Sequence, residues 1–204
     1  MARYSKSLAN VLKNYIDSES ADGKEELRQL LQQTSSVDRY SLLMNVRGDK
    51  YDNAGPHIAA WEDDLETMKY MLEGFTVDEK YAVLKTQCGD GISALHYAAA
   101  NGYSLIIAYL LTDLSQQQKY DLLQLQTADG NTPLHRAATR QKPEVVQAIL
   151  TSLSLELLLQ LLNIVNNEDK RAADIRPEIY DELLVQTSQG IVILLILQLK
   201  YFQL

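Results

Sequence analysis

Short apolar runs recur along this chain with polar stretches between them, and their spacing is helical. Leu134, Ala137 and Ala138 stand at i, i+3 and i+4, so they share one helix face. That face is small, which predicts helices stacked closely side by side. Val145, Val146, Ile149 and Leu150 continue with helical spacing. Pro143 and Glu144 precede them, a first-turn proline and an acid at the positive helix end. Leu65–Leu72 and Leu105–Leu111 have the same character. Each such pair is a helical hairpin too small to bury its own apolar face. Stacking the pairs builds one continuous core.

The pattern repeats with a fixed step. Asp90-Gly91-Ile92-Ser93-Ala94-Leu95-His96-Tyr97-Ala98-Ala99 returns as Asp129-Gly130-Asn131-Thr132-Pro133-Leu134-His135-Arg136-Ala137-Ala138, 39 residues later. The same step leads back to His57 in Gly55-Pro56-His57-Ile58-Ala59-Ala60 and forward to Asp174 in Lys170–Ile175. Lys80-Tyr81-Ala82-Val83-Leu84 recurs as Lys119-Tyr120-Asp121-Leu122-Leu123. Arg39-Tyr40-Ser41-Leu42-Leu43 is an earlier copy, displaced by 41. Thr132 suits a helix N-cap and Pro133 the first turn. Gly91 and Gly130 suit turns that need positive φ.

The phrase Asp-Gly-x-Thr-Pro-Leu-His-x-Ala-Ala resembles the ankyrin repeat. The match is closest at 129–138, nearly as good at 90–99, recognisable at 52–60 and altered at 168–175. The resemblance covers roughly residues 35–175. It implies an all-α, ankyrin-type helical solenoid of stacked helix-turn-helix repeats. The ordinary repeat is about 33 residues, so roughly six are extra. Thr76-Val77-Asp78-Glu79 and Ser115-Gln116-Gln117-Gln118 have the form of capping boxes. A short third helix per repeat is therefore expected at 77–85, 116–125 and 155–163. It should pack over the outer helices and lengthen the link to the next finger loop, a departure from the family pattern that leaves the usual finger spacing open.

The resemblance also implies roles. His57, His96 and His135, with Thr132 and Pro133, resemble structural residues of the repeat. The three histidines occupy one slot in successive repeats, too far apart to share a metal at bonds near 2 Å. Partners of the family are gripped by finger tips and inner helices. Here the tips are Lys50, Tyr51, Asp52, Ile92 and Asn131, and the inner-helix positions are Ile58, Trp61, Tyr97, Asn101, Arg136 and Arg140. Trp, Tyr and Arg are enriched at binding hot spots. The alternative is that Trp61 and Tyr97 fill gaps between repeats and the arginines are merely solvated.

The ends fit the step less well. Residues 1–34 read as a degenerate N-terminal capping repeat, with helices at Leu8–Leu12 and Glu25–Gln33 and a loop at 18–23. A separate two-helix extension is the alternative. The array is expected at 35–185 and an apolar C-terminal tail at 186–204. Pro177-Glu178-Ile179 echoes Pro143-Glu144-Val145 five residues early. The run Ile191–Leu199 stops at Lys200, short of the roughly 20 residues that span a bilayer. It reads as a capping helix or strand, or as a non-native end.

Composition narrows the function. The 204 residues carry 19 Lys plus Arg and 27 Asp plus Glu, a net charge of −8. With no basic block, nucleic acid is a poor partner. The single cysteine, Cys88, allows no internal disulfide and reads as an inert thiol. Glu62, Asp63, Asp64 and Glu66 read as a solvated turn, without the spacing of a calcium loop. No phosphate-binding glycine loop and no convergent His, Cys and carboxylate group is seen, so no catalysis, cofactor or metal is expected. The N-terminus leads into no signal-peptide run, which favours a cytoplasmic protein. The expected role is a non-enzymatic adaptor or scaffold, monomeric, binding another protein. Two alternatives are an exported effector of an intracellular microbe and an adaptor fragment of a larger signalling or membrane protein.

Overall fold

The computed structural model describes residues 2–17, 24–48 and 51–180, with side chains from residue 8 onward. The loop expected at 18–23, Lys50 and the tail at 186–204 lie outside the described residues.

The helices come in threes. The first set is α1 (Ala2–Asp17), α2 (Lys24–Gln32) and α3 (Ser36–Asn45). The second is α4 (Gly55–Trp61), α5 (Leu65–Leu72) and α6 (Val77–Leu84). The third is α7 (Ala94–Asn101), α8 (Ser104–Leu111) and α9 (Gln116–Leu123). The fourth is α10 (Pro133–Thr139), α11 (Pro143–Ser152) and α12 (Leu155–Leu162), followed by the short α13 (Ala172–Ile175). The inner helices α1, α4, α7, α10 and α13 stack in series. Outer helix α2 packs on α5, and α8 on α11. The third helices form their own row, α3 beside α6 and α9 beside α12.

Residue size explains the layering. Inner helices meet through Ala59, Ala60, Ala98, Ala99, Ala137 and Ala138, all fully buried. Their small side chains let backbones approach. The outer helices supply the bulk, through Met68, Met71, Ile106, Ile107, Val145 and Ile149. Val83, Leu84, Leu122, Leu123, Leu161 and Leu162 close the core from the third row. At the N-terminal end, a Cβ on Gly55 would lie 3.0 Å from the Leu12 side chain. Glycine there is what lets α1 sit against α4.

The extra helix is capped as expected. The Glu79 N–H donates to Thr76 Oγ1 (3.2 Å) and the Thr76 N–H to Glu79 Oε2 (2.8 Å). Ser115 and Gln118 repeat this exchange at 3.2 and 3.0 Å. The third helix also ties one repeat to the next through a basic residue in a fixed slot. Lys80 Nζ donates to the Tyr109 and Thr112 carbonyls, each at 2.9 Å, at the end of α8. Arg39 occupies the equivalent slot in α3 and donates to the Glu73 carbonyl at the end of α5. A cation at the negative end of a helix satisfies carbonyls that lack an intrahelical partner. Arg39 and Lys80 thus couple their repeats to the next, and from α9 Gln116 makes the corresponding link to Ser152 and Ser154.

Two readings are sharpened by the structure. The extra helix does not part the finger loops, which bond directly to one another. The Gly89 N–H donates to the Tyr51 carbonyl (2.8 Å), Ala128 N–H to Asp90 (2.8 Å) and Asn167 N–H to Asp129 (3.1 Å). The added residues lie on the outer side of the array, so finger contact is untouched. Nor is the acidic turn wholly solvated. Asp64 is buried, although Glu62, Asp63 and Glu66 are exposed. Asp64 caps α5 by accepting from the Thr67 N–H at 3.0 Å and pairs with Arg28 at 2.7 Å.

Left-handed backbone follows the repeat as well. Positive φ occurs at Asp52, Gly91, Gly130 and Asp169 in the fingers. It recurs at Asp63, Gly102 and Gln141 between inner and outer helices, and at Gly74 and Asp113 after the outer helix. Within each set the positions are 39 apart, so the step seen in sequence is a step in backbone geometry.

Candidate partner-binding groove

Two inner helices, α7 and α10, are fixed to the following finger by a histidine. His96 Nδ1 accepts from the Ser93 N–H (3.1 Å) and lies 2.8 Å from Ser93 Oγ. Its Nε2 is 3.0 Å from the Asn131 carbonyl of the next finger. An acceptor at Nδ1 leaves the proton on Nε2, so this ring is neutral and donates to the carbonyl. His135 repeats the arrangement with Thr132 (N–H at 3.2 Å, Oγ1 at 2.7 Å) and the Lys170 carbonyl (3.0 Å). His57 Nδ1 accepts from the Ala54 N–H at 3.1 Å. Its buried Nε2 closes no hydrogen bond of ordinary geometry. Burial pushes His57 down to about 4 and His96 down to about 3, and it lowers His135 too. Pro133 stands at the first turn of α10 and is buried.

These clamps hold a concave groove of about 560 Å³ across three repeats. Trp61, Tyr97, Asn101, Arg136 and Arg140 line it together with Ile92. Trp61 is 51% exposed at the end of α4. Its ring meets Tyr97 of the next repeat edge-on, with centroids 5.3 Å apart and planes at 84°. The Tyr97 hydroxyl donates to Asn53 Oδ1 at 3.3 Å, and Asn101 Nδ2 donates to the Trp61 carbonyl at 3.2 Å. The pair bridges two repeats, and Trp61 remains half exposed. Arg136 approaches the exposed Asp129 at 3.9 Å, and Arg140 is exposed.

The other named positions lie elsewhere. Ile58 is half-buried and packs against the core. Tyr51 is exposed at a finger tip. Asn131 is engaged in the fingers, its Oδ1 accepting from Asn166 Nδ2 at 3.0 Å. Cys88 is buried, with its sulfur 3.9 Å from the Tyr97 hydroxyl.

Sequence reasoning missed Tyr103 and Lys142, which also line the groove. A signal for them exists. Asp64, Tyr103 and Lys142 are successive occupants of one slot, the residue before each outer helix. Following slots across repeats exposes a charge gradient. Glu62, Asp63 and Asp64 of the second repeat become Asn101, Gly102 and Tyr103 in the third, then Arg140, Gln141 and Lys142 in the fourth. At the acidic end, burial together with Asp63 and Glu62 raises the Tyr103 phenol.

Among the described residues, no group of three or more His, Cys, Asp or Glu is placed to hold a metal ion. No described helix is long and apolar enough to cross a membrane. Among curated proteins, no relative matches significantly. The family model for ankyrin repeats, in three copies, matches residues 56–170. That match spans more than half of the chain, and with its stacked helix pairs and finger loops in the same register the chain belongs to the ankyrin-repeat family.

Proposed function

We propose that this chain is a non-enzymatic adaptor that grips a partner protein through the concave groove. Ankyrin repeats are in general protein-interaction modules. The observation that carries the reading is the Trp61–Tyr97 pair. It places an open aromatic surface between two repeats, beside the arginines of a third. Aromatic and arginine side chains at the centre of a concave site are the usual hot-spot chemistry. Histidine clamps and finger-to-finger bonds hold the groove in one shape, so little ordering entropy is lost on association. Residues 1–34 act as the N-terminal cap of the array, and the finger tip at Tyr51 extends the contact.

The test is affinity capture with the full chain, with W61A and R136E as comparisons. Neither side chain belongs to the buried core, so both variants should fold with the helicity of the parent. A specific protein should be retained by the parent and lost from both variants. If both variants retain it, the groove is not the binding face.

A further inference from the structure

We infer that the groove takes an acidic segment of its partner, with an apolar side chain at one end and carboxylates at the other. This rests on the groove being the binding face. The charge of the lining carries the inference. Arg136, Arg140 and Lys142 line one end, and no Asp or Glu is among the lining residues. This is a cationic site on a chain of net charge −8. Its cations are not consumed locally. Arg140 is exposed and makes no ion pair among the described residues, and Arg136 has only the long contact to exposed Asp129 at 3.9 Å. The acidic slots of the second repeat are treated differently. Lys24 approaches Glu62 at 3.6 Å, and Arg28 neutralises Asp64. The gradient therefore ends in available positive charge at the fourth repeat.

Geometry sets the order of the bound segment. The open face of Trp61 and Tyr97 lies between the second and third repeats, and the cations lie on the fourth. An aromatic or aliphatic side chain seats at the first, and Asp or Glu side chains reach the second. Guanidinium groups match carboxylates in a two-bonded fork. The net negative charge of the chain disfavours loose, non-specific attachment of an acidic segment, which adds specificity for this groove.

The experiment selects binders from a library of displayed random 12-residue peptides on the immobilised full chain. W61A and the double variant R136E/R140E are run in parallel. Trp61 is the single tryptophan, so its fluorescence reports groove occupancy by each selected peptide. The inference expects an apolar residue flanked on one side by Asp and Glu. It expects affinity to fall by about tenfold or more in R136E/R140E and to weaken with salt. Selected peptides without acidic enrichment that still depend on Trp61 would overturn the acidic partner and leave the groove reading standing. Binders indifferent to both variants, or none at all, would overturn both. A single-stranded oligonucleotide that binds as tightly through the same arginines would also overturn the peptide assignment.

Discussion

Arg28 on α2 reaches Asp64 at the start of α5, with Nη2 2.7 Å from Oδ1 and Nε 2.8 Å from the Thr67 hydroxyl. The Thr67 hydroxyl donates in turn to Asp64 Oδ2 at 2.8 Å. Burial alone would raise the Asp64 carboxyl. The Thr67 N–H and hydroxyl and the Arg28 guanidinium outweigh it and hold Asp64 below its ordinary value. Removing one member leaves a buried charge or an uncapped helix. Asp64→Ala should therefore destabilise the protein by about 3 kcal/mol. A double-mutant cycle with Arg28→Ala, followed by urea unfolding, should show positive coupling. Purely additive losses would mean that this bridge does not hold the first repeat on the second.

The histidine clamps predict acid sensitivity. Their folded values lie below the ordinary 6.5, at about 4 for His57 and about 3 for His96. An unfolded chain takes up these protons first as pH falls. Their stabilisation is therefore complete above pH 6.5 and declines as pH drops toward 4 and 3. Between pH 7 and pH 5 the two together should cost about 3–4 kcal/mol, with His135 adding in the same direction. Urea unfolding at pH 7, 6 and 5 measures this directly. A flat profile would mean that the rings are already able to hold a second proton in the folded state.

The array was legible because its signals are local and repeated. The phrase around Thr132, Pro133 and His135 specifies a cap, a first turn and a clamp within four residues. Thr76 and Ser115 announced the third helix through capping boxes. Asp64 was not legible, because its partner Arg28 stands 36 residues earlier and only packing brings them together. Tyr103 and Lys142 escaped for a different reason. They carry no family phrase and join the groove only when slots are compared across repeats. Finger spacing stayed open in the sequence because the bonds that set it, such as Gly89 N–H to the Tyr51 carbonyl, join residues of different repeats.

Lys80 supplies a test of what the third helix contributes. Its ammonium group donates to two carbonyls at the end of α8 and lies 5.0 Å from the Tyr109 ring centroid. Lys80→Met keeps most of the apolar stem and removes the donors. A loss of about 1–2 kcal/mol is expected. Hydrogen exchange should quicken at the end of α8 more than in the inner helices. Uniform quickening across the array would argue against a local capping role.

The left-handed positions predict substitutions of opposite sign from one geometric cause. Gly130 has φ +75, and a Cβ there would lie 2.5 Å from Asn167 Oδ1 and 2.7 Å from the Asn167 backbone nitrogen. Gly130→Ala meets both the left-handed penalty and a backbone clash, so a loss of about 2–4 kcal/mol is expected. Gln141 holds φ +55 with a side chain already present. It occupies the slot that glycine fills at Gly102. Gln141→Gly relieves that strain, and its gain outweighs the added freedom of the unfolded chain by up to about 1 kcal/mol. Gln141 is exposed, so little packing is lost. Thermal unfolding should therefore move up for Gln141→Gly and down for Gly130→Ala. A drop in both would show that entropy in the unfolded chain, rather than strain in the turn, governs this slot.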